Sequence, residues 1–115
     1  MRTTLGDIAN WIIANRKGKA FPYSYDTIIH QLVEAERTDA ILCVIDGDTI
    51  LGVVCGRWLP GRIYYVDDIL TIKSKVVKHM MNYFLEHYPD FTIQGLHRSK
   101  RARNFTNIKK LTERL

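Results

Sequence analysis

The stretch Val66-Asp67-Asp68-Ile69-Leu70-Thr71-Ile72-Lys73-Ser74-Lys75-Val76-Val77-Lys78 decides the reading of the fold. It starts as a strand, with β-branched and apolar residues around two adjacent carboxylates, and it ends as the first turn of a basic helix. Val76, Val77, Met80, Met81, Phe84, Leu85 and Tyr88 continue at helical spacing until Pro89-Asp90 closes the helix. Phe91 to Leu96 then alternates as a second strand. A strand–helix–strand unit of this length predicts parallel outer strands joined by a right-handed crossover.

Upstream, the period is that of a meander. Ile41 to Ile45 is a continuous apolar run, Asp46-Gly47-Asp48 a turn, and Thr49 to Leu59 a second strand, together a hairpin. Pro60-Gly61 turns the chain again into a third strand, Arg62 to Ile72. Two helices precede the meander. Leu5, Ile8, Ile12 and Ile13 mark the first, with Thr4 and Asp7 spaced as a capping box. Ser24 caps the second, whose apolar face is Ile28, Ile29, Leu32, Val33 and Ala35. Arg103 to Leu115 reads as a last helix, with Phe105, Ile108 and Leu111 on one side.

The 115 residues predict one domain, 1–115, with ordinary globular composition: 46% hydrophobic and 25% charged. No apolar run is long enough to span a bilayer, and the first residues do not read as a secretory signal. Cys43 and Cys55 sit in apolar runs and read as buried free thiols, which suits a reducing, cytoplasmic location. The four histidines show no ligand spacing, so no metal is expected. The net charge of +5 is concentrated at the C-terminus, where Arg98, Lys100, Arg101, Arg103, Lys109, Lys110 and Arg114 face one acid, Glu113. Such a run attracts polyanions. It lacks the interleaved aromatics of single-strand binders, so nucleic-acid binding is expected to be weak at most.

The order of elements resembles the GNAT superfamily of N-acetyltransferases, and within it the short, phage-encoded forms. Ile45 to Val53 resembles the family's D-G-x-I-x-G hairpin. Val66 to Thr71 resembles its central strand, which carries an acid and splays from its parallel neighbour. Tyr83 to Pro89, Ile93 to Gly95, and Asn104-Phe105 with Lys109 to Leu111 resemble its helix–strand–helix half. The resemblance implies an α/β (α+β layered) GNAT-like fold of order helix–helix–three antiparallel strands–helix–strand–helix, truncated at both ends. It implies acetyl-CoA as cofactor and, as acceptor, an amine of a small molecule or protein. It also implies site residues. Pantetheine would pair with backbone groups of Leu70, Thr71 and Ile72. Pyrophosphate would lie at the helix start, with Lys73, Ser74, Lys75 and Lys78 around it. Asp68, or its neighbour Asp67, would accept the amine's proton.

The sequence departs from the family pattern in two places. The helix start, Lys73 to Lys78, contains no glycine, and Phe105 stands where many members carry a tyrosine acid. Both departures suit a second reading, a GNAT-like fold without catalysis that serves as a virion component or an inhibitor of a host factor. The acceptor pocket of so short a fold would be shallow, or completed by an oligomer or partner protein. Asp67 and Asp68 are expected on opposite faces of their strand. The structural alternative for both is a solvent-facing strand end, and for the lysines a solvated first turn.

Overall fold

The structure, a computed structural model, describes residues 3–16, 20–96 and 105–107. Helices α1 (Leu5–Asn15) and α2 (Tyr25–Arg37) lead into strands β1 (Ile41–Asp46), β2 (Thr49–Leu59) and β3 (Ile63–Thr71), then α3 (Ser74–His87), β4 (Thr92–Leu96) and β5 (Phe105–Asn107). The strands form one mixed sheet in the order β1-β2-β3-β4-β5. All neighbouring pairs are antiparallel except β3 and β4, which are parallel as the strand–helix–strand unit requires. Among the described residues no helix is long and apolar enough to cross a membrane.

The local signals act through identifiable contacts. The capping box closes on α1: Asp7 N–H donates to Thr4 Oγ1 at 3.1 Å, and Thr4 N–H donates to Asp7 Oδ2 at 3.0 Å. Ser24 caps α2 through the Thr27 amide. The end of α2 is a Schellman closure, in which Ala40 N–H reaches Ala35 C=O and Asp39 N–H reaches Glu36 C=O. Asp39 holds the left-handed position of that closure, φ +56°, where glycine is usual. Gly47, φ +60°, lies first in the two-residue β1–β2 loop, the φ pattern of a type II′ turn.

Each face of the sheet buries its own core. On one side α1 and α2 cover Ile50, Val53, Cys55 and Leu70 with Ile8, Ile12, Phe21, Ile28 and Leu32. On the other, α3 lays Val76, Met80, Met81 and Phe84 against Val54, Tyr64, Val66 and Ile93. The Tyr64 ring lies over Gly56, and a Cβ there would collide with Tyr65 O and the Tyr64 ring. The Tyr64 hydroxyl donates to Ala40 C=O, which also accepts Gly56 N–H. Any side chain at position 56 would displace this arrangement.

One expected element differs. The helix read from Arg103 meets a strand over Phe105–Asn107, paired with Gln94, Gly95 and Leu96. A hydrogen-bonded sheet edge outweighs a weak helical period in so short a segment. The remainder of that expected helix, and the Arg98–Arg103 basic run, lie outside the described residues.

Candidate functional site

β3 changes face halfway along its length. Tyr64 and Val66 belong to the core under α3, whereas Leu70 belongs to the core under α1 and α2. An even-numbered series can cross the sheet only if one residue is extra. The register supplies it: Cys55 pairs with Asp68 and Gly56 with Val66, leaving Asp67 as a β-bulge.

The bulge overturns the expectation that the two acids face opposite ways. Arg57 and Tyr65 form a cross-strand pair, with the guanidinium carbon 5.1 Å from the ring centroid. Asp67 accepts from Arg57 at 3.0 and 3.1 Å on that same face. Asp68 also turns toward α1 and α2, where it accepts the Phe21 amide at 3.2 Å. Both carboxylates therefore lie beside Cys55, and their charges add to burial in pushing its thiol up to about 12.

The two acids have different environments. Asp68 is 2% exposed and holds the α1–α2 connection. Phe21 is buried there at φ +46°, a conformation a phenylalanine rarely adopts, and Arg16 clamps the same connection through the carbonyls of Phe21 and Tyr23. Asp67 remains half-buried. Loss of hydration raises its carboxyl above the ordinary value, and the Arg57 guanidinium opposes the rise.

At the bulge the β3–β4 ladder stops. Its last pair is Val66 with Gly95, and beyond it β4 is paired with β5. Among the described residues no strand pairs with Ile69 or Thr71 on the side away from β2. Ile72 N–H donates to Leu51 C=O at 3.0 Å. Alternation along the strand then turns the Leu70 and Ile72 backbone groups toward β2, and those of Ile69 and Thr71 outward. Of the three residues expected to offer backbone groups, Thr71 alone does so, and Ile69 joins it.

α3 begins just past this edge. Lys73 is its N-cap without a side-chain cap bond, and no acid lies in its first turn. Val76 N–H bonds to Lys73 C=O, so Ser74 and Lys75 present the leading amides. Val76 occupies the glycine-free helix start for a packing reason. It is buried, and a Cβ at Gly52 would meet its Cγ1 at 2.9 Å, so the pair share one small space with their sizes exchanged. Lys75 lines a groove of 410 Å³ on the α3 face, with Val44, Ile45, Asp46, Leu51, Val76 and His79. Lys78, three residues on, lies about 60° from Lys75 around the helix by its 3.6-residue period and neighbours it there.

Arg57 and Ile69 are the site residues that the sequence did not reveal. A single cation in an otherwise apolar strand, two residues after Cys55, was the available signal for Arg57. Nothing in the sequence marks the outward parity of Ile69, because it depends on the bulge. Among the described residues no three His, Cys, Asp or Glu side chains are grouped to hold a metal ion. No family model, curated protein or solved structure matches the chain.

Proposed function

We propose that the chain is an acyl-CoA-dependent N-acyltransferase whose thioester cosubstrate lies along the outward edge of β3. The observation that carries this reading is the end of the β3–β4 ladder at the Asp67 bulge. It leaves Ile69 and Thr71 with outward amide and carbonyl groups in a sheet that is otherwise paired at that strand. A pantetheine arm, with two amides at strand-like spacing, is the kind of ligand such an edge accepts. The α3 N-terminus, without an acid and flanked by Lys73, Ser74 and Lys78, suits a pyrophosphate electrostatically. These features fit acetyl-CoA, which supplies a thioester carbonyl for an amine to attack and leaves as the thiol.

The chain's own part is to prepare the amine. An ammonium group has no lone pair, so its proton must leave before attack. Asp67 is the acid suited to receive it, directly or through one water. Its raised proton affinity moves it toward the working pH of a base, and Arg57 fixes its orientation. Asp68, buried and committed to Phe21, acts as a positioning residue for the Phe21 part of the α1–α2 connection.

One observation favours a second reading, a binding protein without turnover: both carboxylates already have protein partners, Arg57 and Phe21. Calorimetric titration with acetyl-CoA, followed by a thiol-release assay over a panel of amines, separates the two. Binding with unit stoichiometry and thiol release supports the enzyme. Binding alone supports the second reading. No heat at millimolar ligand overturns the acyltransferase and leaves the second reading.

A further inference from the structure

We propose that a cavity at the opposite end of α3 binds an organic ammonium cation. The cavity, 230 Å³ in volume, lies between the end of α3 and the start of β1 and is lined by Asp39, Ile41, Leu42, Tyr83, Phe84 and Tyr88. It opens on the α3 side of the sheet, away from the face that carries Asp67 and Asp68, and so stands independently of the acyltransferase reading.

Three features of this cavity favour positive charge. The first is Asp39, the one charged residue in the lining among the described residues. No hydrogen bond or ion pair engages its carboxylate among the described residues, and the Schellman closure of α2 fixes its backbone. The second is aromatic. The faces of tyrosine and phenylalanine rings carry negative potential and attract cations within about 6 Å. These rings are held in place before any ligand arrives. Tyr88 packs on Trp58 at 4.9 Å and Phe91 at 5.6 Å between centroids, and Tyr83 stacks on His87 at 3.9 Å. The Trp58 indole N–H is in turn fixed on Thr38 C=O, next to Asp39, at 2.8 Å. The third is the helix itself. α3 ends at His87, and its C-terminal carbonyls give the cavity wall a partial negative charge.

Size and lining narrow the ligand. The volume is below the roughly 300–1,000 Å³ of pockets for drug-sized molecules, so the occupant is a small head group. Ile41 and Leu42 offer no hydrogen-bonding side chain, which favours an alkylated ammonium over a strongly hydrated primary one. Left-handed Asp39 makes the decisive variant benign, since asparagine accepts φ +56° at least as well.

The test is an amide-resolved NMR titration with tetramethylammonium chloride, with sodium chloride at equal ionic strength and tert-butanol as the uncharged isostere. Saturable shifts confined to Asp39, Leu42, Tyr83, Phe84 and Tyr88 are expected with tetramethylammonium alone. Asp39→Asn and the surface change Tyr83→Ala should each weaken binding by about tenfold, as loss of a charge or a cation–π face does. Equal shifts with tert-butanol or sodium, or unaltered affinity in a folded Asp39→Asn protein, would overturn the proposal.

Discussion

The backbone amide of Phe21 donates to Asp68 Oδ1 at 3.2 Å, linking positions 47 residues apart in a fully buried setting. The bond holds a left-handed phenylalanine in place. Removing the acceptor strands a buried N–H, at a cost of about 1–3 kcal/mol. Asp68→Ala is therefore expected to lower stability by that amount, measured by urea unfolding. Asp68→Asn retains an amide oxygen at the same place and should lose less. Under the acyltransferase reading, Asp68→Asn should keep most turnover in its folded fraction. A folded Asp68→Asn protein with catalysis abolished and stability intact would make Asp68 itself the base.

Asp67 makes the complementary case. Its carboxyl is raised above the ordinary value in the folded chain, chiefly by loss of hydration. A raised acid binds more protons folded than unfolded, so its contribution to stability is full below the unfolded pKa and is lost as pH rises through the folded one. Asp67→Asn removes that loss. The variant should therefore gain stability relative to the natural chain on going from acid to neutral pH. Unfolding midpoints at several pH values test this, and an unchanged difference would place Asp67 in an unperturbed setting. Under the acyltransferase reading, turnover of the same variant should fall by about 10²–10⁴-fold with acetyl-CoA binding retained.

The two cysteines report on packing without reference to function. Burial pushes Cys43 up to about 11 and, with the charges of Asp67 and Asp68, Cys55 to about 12. Alkylation proceeds through the thiolate. At pH 8 the thiolate fraction should fall about 10²-fold for Cys43 and about 10³-fold for Cys55 relative to a thiol at 9.0. Mass-spectrometric timing of iodoacetamide labelling should show Cys43 reacting first and both far behind unfolded protein. Rapid labelling of Cys55 would mean that the α2–β2 contact opens readily.

Most of the fold was legible because its signals are local. The Thr4–Asp7 box, Ser24, the Gly47 turn and the shift from alternating to helical spacing at Lys73 each act within a few residues. At Phe105–Asn107 the helical period misled because it rested on three apolar positions, and a paired edge on β4 outweighs so weak a signal. The site was legible in outline only. The adjacent acids and the basic helix start mark where chemistry would sit. Which way Asp67, Asp68 and the Ile69–Ile72 backbone point depends on one extra residue opposite Cys55 and Gly56, and nothing local to β3 announces a bulge. The glycine-free helix start has its reason 24 positions before Val76, at Gly52, whose missing side chain leaves Val76 its place in the core.

The different settings of Lys73 and Lys75 give the sharpest test of the cosubstrate proposal. Lys73 precedes the first amides of α3, whereas Lys75 lines the groove with Val44, Ile45 and Leu51. If a pyrophosphate rests on the helix start, contributions should follow this geometry and not the count of charges. Lys73→Ala is expected to weaken acetyl-CoA by about tenfold, as loss of a charge-assisted hydrogen bond does. Lys75→Ala should cost distinctly less, because a lysine lining the groove contributes to the helix start at long range through a screened field. Raising salt should shrink the Lys75 effect toward nothing and leave part of the Lys73 effect. Calorimetry on the two variants at low and moderate salt reads both quantities. Equal losses that vanish together with salt would indicate diffuse attraction to a basic helix and remove the pyrophosphate from α3.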